Sequence, residues 1–232
     1  DTLAAINRGD RFVLVGDHRQ LPPVVQTEGP LETSLFERLI EQYPEAAVLL
    51  DRQYRMAQKI QAFPSREFYD GALRPANAAV AGQQVADLGI ETDRADVHDG
   101  VQFVPVEGTP AAHTDRAEAD RVAEIVEAYL AAGAKPGDVG VIAPFRAQVA
   151  TIAERVPDGV TVDTVDRFQG SSTEIVIVSF VATGALEGPL FEDERRMNVA
   201  LTRAKKALVL VGDPAALRTR ERYARMLDWA QR

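Results

Sequence analysis

The sequence predicts an α/β domain in which a mostly parallel sheet is flanked by helices on both faces. Short runs rich in Val and Ile recur along the chain, and stretches with helical character lie between several of them. This alternation is typical of strand–helix–strand units, which place their strands in parallel. Because the runs are apolar at consecutive positions, we expect both faces of the sheet to be covered.

The predicted elements can be placed in chain order. The first strand is the run RFVLVG at 11–16, which ends in Gly-Asp before the loop HRQLPP. Further strand-like runs occur at 47–50, 101–106, 139–143, 174–180 and 207–212. Helices are predicted at 34–42, 56–69, 116–132, 146–155 and 193–203, with a closing amphipathic helix at 214–231. Residues 76–100 show no firm period, so we expect a connection with short elements there.

The composition limits the kind of protein. With 232 residues and 46% hydrophobic content, the chain is long enough to bury a sizeable core without crosslinks or metals. It has no cysteine, and its three histidines share no ligand spacing, which excludes a disulfide framework and argues against a structural metal site. No apolar run approaches the roughly 20 residues of a membrane span. We therefore expect a monomeric, cytoplasmic protein without a membrane partner.

The charge balance limits how the chain can meet nucleic acid. The formal net charge is −9 and the sequence pI is about 4.9. A protein that binds nucleic acid through a broad surface needs many Lys and Arg side chains against the phosphates. Any contact of this chain with nucleic acid must therefore be local.

Four short motifs stand in a fixed order along the chain. They are GDHRQLPP at 16–23, QYRM at 53–56, VDTVDRFQGSSTE at 162–174 and RRMNVALTRAKK at 195–206, with supporting segments FYDGAL at 68–73 and APFRAQV at 143–149. Through these motifs the sequence resembles superfamily 1B helicases, the up-frameshift-like 5′-to-3′ branch, over nearly its whole length. The resemblance implies a RecA-like P-loop NTPase fold, ATP with Mg²⁺ as cofactors, and single-stranded DNA or RNA as partner.

The resemblance assigns catalytic roles to three side chains. Arg55 and Arg203 would approach the γ-phosphate as arginine fingers, which suits a reaction whose catalysis is mostly positioning and charge stabilisation. Taken alone, either arginine would equally fit a surface ion pair. Gln20 would sense the γ-phosphate through its amide, and the alternative for Gln20 is a turn residue. Asp17, in the same loop, is expected to be among the residues that bind the nucleotide.

Four further residues are expected at the nucleotide. Tyr54 matches the position that stacks on adenine in relatives, although core packing is an alternative. Gln169 and Gly170 resemble helicase motif V, where glycine allows the close backbone approach that phosphate or ribose requires. Ser172 stands where many relatives have a glutamate that contacts ribose, which leaves that contact open.

The expected nucleic-acid contacts come from two segments. Pro144, Phe145 and Gln148 follow a predicted strand and begin a helix, and the family uses this segment on single strands. An ordinary strand-to-helix turn with Phe145 in the core is the alternative. Thr164 and Asp166 would lie near phosphate or relay between the two ligands, while Asp166 also fits a helix cap.

Two motifs that ATP hydrolysis requires are missing from the sequence. Neither the phosphate-binding GxxxxGK[ST] loop nor the acidic residue that holds Mg²⁺ occurs. By resemblance, residues 1–25 look like a remnant of the first RecA-like domain and 26–232 like the second. We therefore expect a C-terminal fragment that is inactive alone and whose partner is its missing N-terminal domain, which would carry the Mg²⁺ ligands.

Two other classes of protein stay open. The chain could be a non-catalytic binding module that keeps the helicase fold, but a scaffold has no need of phosphate-facing arginines. It could also be a complete P-loop ATPase of another type, against which the absent phosphate loop argues.

Overall fold

The computed structural model describes residues 6–22, 33–90, 97–109, 111, 113–182 and 186–231. These residues divide into two compact units, the first ending at Leu49 and the second beginning at Leu50. The division lies later in the chain than the boundary expected near residue 25. The assignment of residues 1–25 to a separate motor domain stays a prediction.

Among its described residues, the first unit contains one α-helix with defined bounds, a 3₁₀ turn at Pro44–Ala46 and no strand. Helix α1, Leu35–Gln42, begins after Ser34, whose side chain accepts a hydrogen bond from the Glu37 N–H at 3.1 Å. The strands predicted at 11–16 and 47–50 are wrong, because neither segment forms a ladder in the described residues. A strand needs a neighbour for its backbone N–H and C=O groups, and neither apolar run has one here.

The second unit is built on a parallel five-stranded sheet with the order β3-β7-β6-β4-β5. This confirms the predicted parallel sheet. The strands are β3 Gly100–Pro105, β4 Val139–Ala143, β5 Thr161–Thr164, β6 Thr173–Ser179 and β7 Ala204–Gly212. A separate parallel pair is formed by β1 Arg52–Gln53 and β2 Arg74–Pro75. The half-polar sequence TVDT explains why β5 is absent from the predicted strands.

Helices surround the sheet, and β6 shows that both of its faces are covered. Ile175 and Ile177 point to one face and Val176 and Val178 to the other, and all four are 0% exposed. The helices of this unit are α2 Gln58–Phe68, α3 Ala78–Ala81, α4 Arg116–Ala131, α5 Arg146–Ala153, α6 Val165–Phe168, α7 Pro189–Glu192, α8 Glu194–Leu201, α9 Pro214–Leu217 and α10 Glu221–Ala230. Short 3₁₀ turns lie at Val85–Leu88 and Pro136–Asp138.

The closing helix predicted at 214–231 is divided into α9 and α10. Arg220 stands between them and donates hydrogen bonds to the carbonyls of Leu186 and Phe191, which fixes it outside either helix. None of the described helices has the length and apolar character needed to cross a membrane.

Candidate functional site

Three segments that lie far apart in the sequence meet where β6 and β7 begin, which we call the amino edge of the sheet. Arg55 donates from Nη1 to the carbonyl of Thr202 at 3.0 Å. Arg203 donates from Nη2 to Oγ1 of Thr202 at 3.1 Å and from Nη1 to the carbonyl of Ser171 at 3.2 Å. The structure therefore brings both candidate arginine fingers together with the turn at 169–172.

Arg55 is held through its backbone and has no acidic partner among the described residues. The amide oxygen of Gln53 accepts the Arg55 N–H at 2.8 Å, and the Gln83 side chain donates to the Arg55 carbonyl at 3.2 Å. The guanidinium is half-buried, and burial lowers the pKa of Arg55 while the nearby Tyr69 raises it. No carboxylate among the described residues lies within ion-pair distance of Arg55. A desolvated cation without an anion favours an anionic ligand.

Arg203 lies in a different environment from Arg55. Its side chain is 2% exposed, and Nε donates to the carbonyl of Val199 at 3.0 Å, in addition to the bonds to Thr202 and Ser171. A residue buried among acceptors of its own unit contributes to the fold of that unit. Its role as a finger stays a prediction, and it requires the guanidinium to leave these acceptors.

The other residues expected at the nucleotide lie on the surface of the amino edge. Tyr54 is 75% exposed, which contradicts the core-packing alternative. Gly170 has a φ of +85°, and a Cβ placed there would meet no atom within 4 Å, so a ligand can approach its backbone. Gln169 is exposed and Ser172 is half-buried.

The loop with Asp17 and Gln20 belongs to the first unit and forms a tight turn. Oδ1 of Asp17 accepts the Arg19 N–H at 2.9 Å, and the Gln20 N–H donates to the Asp17 carbonyl at 3.2 Å. Pro23, the last residue of this motif, lies outside the described residues. The roles of Asp17 and Gln20 at the γ-phosphate stay predictions.

Gln148 lies at the opposite, carboxyl edge of the sheet, where β4, β6 and β7 end. It is 0% exposed, and its amide accepts the Asp115 N–H at 2.9 Å and donates to the Asp115 carbonyl at 3.0 Å and to Oγ of Ser179 at 3.1 Å. The expected contact of Gln148 with a single strand is therefore wrong, because the amide is buried and its bonding groups are occupied. Pro144 is also buried.

Phe145 remains a candidate for contact with a single strand. Its ring is half-buried and packs against His113 with 4.4 Å between ring centroids and 36° between planes. Gly188 packs closely against the same ring, since a Cβ at this position would lie 2.4 Å from Cζ of Phe145. Only part of the Phe145 ring is thus used in packing.

Thr164 and Asp166 lie at the end of β5 and the start of α6. Thr164 is half-buried and caps α6 without a side-chain hydrogen bond. The carboxylate of Asp166 pairs with Arg196 of α8 at 3.1 Å, and both side chains are partly exposed. Asp166 is therefore not the capping residue of α6, and its carboxylate instead holds Arg196.

A buried polar cluster at the carboxyl edge is absent from the sequence-based predictions. Oε2 of Glu118 accepts from Oγ of Ser179 at 2.6 Å and from the Val181 N–H at 2.9 Å. Burial raises the pKa of Glu118 to about 7, against the lowering effect of these hydrogen bonds. The burial of Glu118 is indicated in the sequence by helical spacing, because Glu118 lies on the same face of α4 as the buried Val122 and Val126.

Comparison with known proteins gives the family. A family described as "AAA domain" matches residues 31–215. An uncharacterized ATP-dependent helicase of Methanocaldococcus jannaschii is 36% identical over 99% of this chain and 36% of its own length. The DNA replication ATP-dependent helicase/nuclease DNA2 of Xenopus laevis is 39% identical over 88% of this chain and 22% of its own length.

Two further proteins are similar to this chain. A regulator of nonsense transcripts 1 homolog of Neurospora crassa is 34% identical over 94% of this chain and 21% of its own length. The solved C-terminal domain of a possible DNA helicase from a Lactobacillus aligns with a TM-score of 0.40 at 14% identity, covering 74% of this chain and 96% of that domain. The chain thus spans about a fifth to a third of the curated relatives' length. It belongs to the AAA-domain family and is a superfamily 1B, up-frameshift-like helicase domain.

Proposed function

We propose that this chain is the second motor domain of a 5′-to-3′ helicase. It completes an ATP site whose phosphate-binding loop and Mg²⁺ ligands another domain supplies, and it forms part of the path of a single strand. The observation that carries the proposal is Arg55, a half-buried cation with no carboxylate partner among the described residues. A γ-phosphate supplies the missing anion.

The chemistry at the amino edge follows from the charge that develops on the transferred phosphoryl group. Arg55 stabilises this charge as an arginine finger, a contribution of roughly 10³ to 10⁵ in rate. The exposed ring of Tyr54 lies next to it in sequence and offers a flat face to adenine. The open backbone of Gly170, with Gln169 and Ser172 beside it, suits contact with phosphate or ribose.

Arg203 serves as the second finger in this proposal. In the described state its Nη atoms donate to Ser171 and Thr202. Bound nucleotide replaces these neutral oxygens with phosphate oxygens, which form the stronger, charge-assisted bonds. Because Arg55 also donates to Thr202, the two arginines respond to the ligand together.

We assign Mg²⁺ to the missing domain and the γ-phosphate sensor to the loop of the first unit that carries Asp17 and Gln20. Among the described residues, no group of three His, Asp or Glu side chains is arranged to hold a metal ion. Asp17 and Gln20 stand in the turn of the first unit, where the family motif places the sensor. By the family resemblance, the ligands of Mg²⁺ are proposed to lie in the missing domain with the phosphate-binding loop.

The nucleic acid can be DNA or RNA. One relative is named for DNA replication and another for nonsense transcripts, so the relatives' names favour neither polymer over the other. DNA and RNA both contain phosphates and stackable bases, and the described surface offers side chains that suit each of these groups. We propose that the assembled protein acts as a monomer in the cytoplasm.

A chimera tests the proposal. This chain replaces the matching segment of the M. jannaschii helicase, and steady-state ATP hydrolysis is measured with and without a single-stranded oligonucleotide. We expect strand-stimulated turnover by the chimera and none by the chain alone, because the phosphate loop comes from the other domain.

Two outcomes would count against this function. Strand-stimulated hydrolysis by the chain alone would mean that it contains a phosphate-binding element of its own. A folded chimera without turnover, beside an active parent helicase, would favour the non-catalytic binding module instead.

A further inference from the structure

His113 is an exposed aromatic side chain that no sequence motif singles out. It lies at the carboxyl edge, in the turn that precedes α4, and its ring packs on Phe145 at 4.4 Å between centroids. Phe145 in turn is enclosed on another side by Gly188. The pair therefore presents a supported ring at the surface rather than a loose side chain.

The turn that carries His113 is fixed by hydrogen bonds. Ala111 and Thr114 exchange backbone bonds at 2.8 and 3.0 Å, and Oγ1 of Thr114 donates to the Ala111 carbonyl at 2.7 Å. His113 adopts a φ of +68°, a conformation that few residues other than Gly, Asn, Asp and His take readily. The buried amide of Gln148 holds Asp115, two residues after His113, by both its N–H and its carbonyl. The ring position is thus set by buried structure.

Two arginines lie close to the two ring residues in sequence. Arg116 is the first residue of α4 and Arg146 the first residue of α5, and both are exposed. Neither forms an ion pair with a described carboxylate. A cation in the first helical turn is disfavoured by the helix dipole, so neither arginine is placed there for helix stability. In a chain of net charge −9, two such cations complement a local anion such as a phosphate.

We propose that His113 and Phe145 form a stacking platform for one base of a single-stranded DNA or RNA, with Arg116 and Arg146 on the adjoining phosphates. His113 offers its outer face to the base, and Phe145 supports it from below. Every base has a π-face, so the contact accepts any sequence. This inference rests on the proposed function and adds to it a base-stacking residue and the residue that positions it, Gln148.

The test measures binding of the 232-residue chain to two fluorescent 12-nucleotide probes by anisotropy. One probe is oligodeoxythymidylate and the other has the same backbone with abasic sites, so only the first can stack. The loss variant is His113→Asn, because Asn accepts the positive φ but has no ring. His113→Tyr retains a ring, and His98→Ala is the control, since His98 precedes β3 at the amino edge.

We expect His113→Asn to weaken binding of oligodeoxythymidylate by about 5- to 150-fold, the range for loss of one base–aromatic stack. Binding of the abasic probe should change little, and His113→Tyr and His98→Ala should bind like the unmodified chain. The double change Arg116→Ala with Arg146→Ala should weaken binding of both probes and reduce the slope of log affinity against log salt by about 1.4.

Equal affinity of His113→Asn and the unmodified chain for oligodeoxythymidylate would overturn the platform. So would equal losses on both probes, or no binding by the unmodified chain. The proposed function is judged separately by ATP turnover of the chimera, so the platform can fail while the motor assignment stands.

Discussion

The two edges of the sheet differ in whether their buried ionisable groups have partners within the described residues. At the amino edge, the Arg55 guanidinium is half-buried without a carboxylate among the described residues. At the carboxyl edge, the Glu118 carboxyl is buried but receives hydrogen bonds from Ser179 and Val181. The guanidinium at the amino edge therefore needs an anionic ligand as its partner. The carboxyl at the carboxyl edge already has its partners within the protein, and this edge holds surface side chains in place.

The largest effect that would test this difference is expected from Arg55→Ala in the chimera. ATP turnover should fall by at least about 10³ with little change in nucleotide affinity, because a finger acts on the transition state. Arg52→Ala is the matched control, since Arg52 is an exposed arginine of β1 that lies 3.7 Å from Asp51. A fall of less than tenfold for Arg55→Ala would remove the finger assignment.

Arg203→Ala should affect both stability and turnover. Removal of the buried guanidinium leaves a void and removes the donor to the Ser171 carbonyl, so we expect the free energy of unfolding to fall by about 2–4 kcal/mol. Urea unfolding can be followed through Trp229, the only tryptophan, which stacks on Phe63 at 5.1 Å. Unchanged stability would contradict the bonds described for Arg203.

Glu118 should make stability depend on pH. Its folded pKa of about 7 lies above the ordinary value of 4.5, so the protonated carboxyl favours the fold. The stabilisation is complete below about pH 4.5 and is lost as the pH rises through 7, a change of roughly 3 kcal/mol. We expect Glu118→Gln to remove this dependence, measured by urea unfolding across that range. Glu127→Gln, an exposed change on the same helix, should retain it.

The smallest effect is expected from Gln148→Leu. The backbone groups of Asp115 lose their buried partners, so the free energy of unfolding should fall by about 1–3 kcal/mol. Gln58→Leu, at an exposed position in α2, should leave it unchanged. Unchanged stability of Gln148→Leu would contradict the structural role of the bonds between Gln148 and Asp115.

Much of the second unit is predictable from the sequence. Buried parallel strands are recognisable in the sequence as apolar runs, and β4 and β6 lie where their Val- and Ile-rich runs predict them. The runs at 11–16 and 47–50 are apolar in the same way but form no strand. A strand also requires a neighbouring strand to pair with, which composition does not reveal.

The sequence predicted which arginines belong to the candidate site at the amino edge, but not how deeply each one is buried. The motifs brought Arg55 and Arg203 to one edge, yet their spacing gave no indication that one is half-buried and the other 2% exposed. Gln148 was misassigned for the same reason, since exposure is set by the packing of α4 and α5 around it. His113 has no motif and becomes visible only through its ring contact.

The uncovered runs of the first unit have a practical consequence for anyone who expresses this chain. Phe12, Val13 and Val15 are 52%, 88% and 86% exposed, and Val48 and Leu49 are 85% and 58% exposed. Unpaired apolar segments of this kind act as templates for aggregation. Self-association should therefore grow with protein concentration and should fall when the chain is shortened to begin at Leu50.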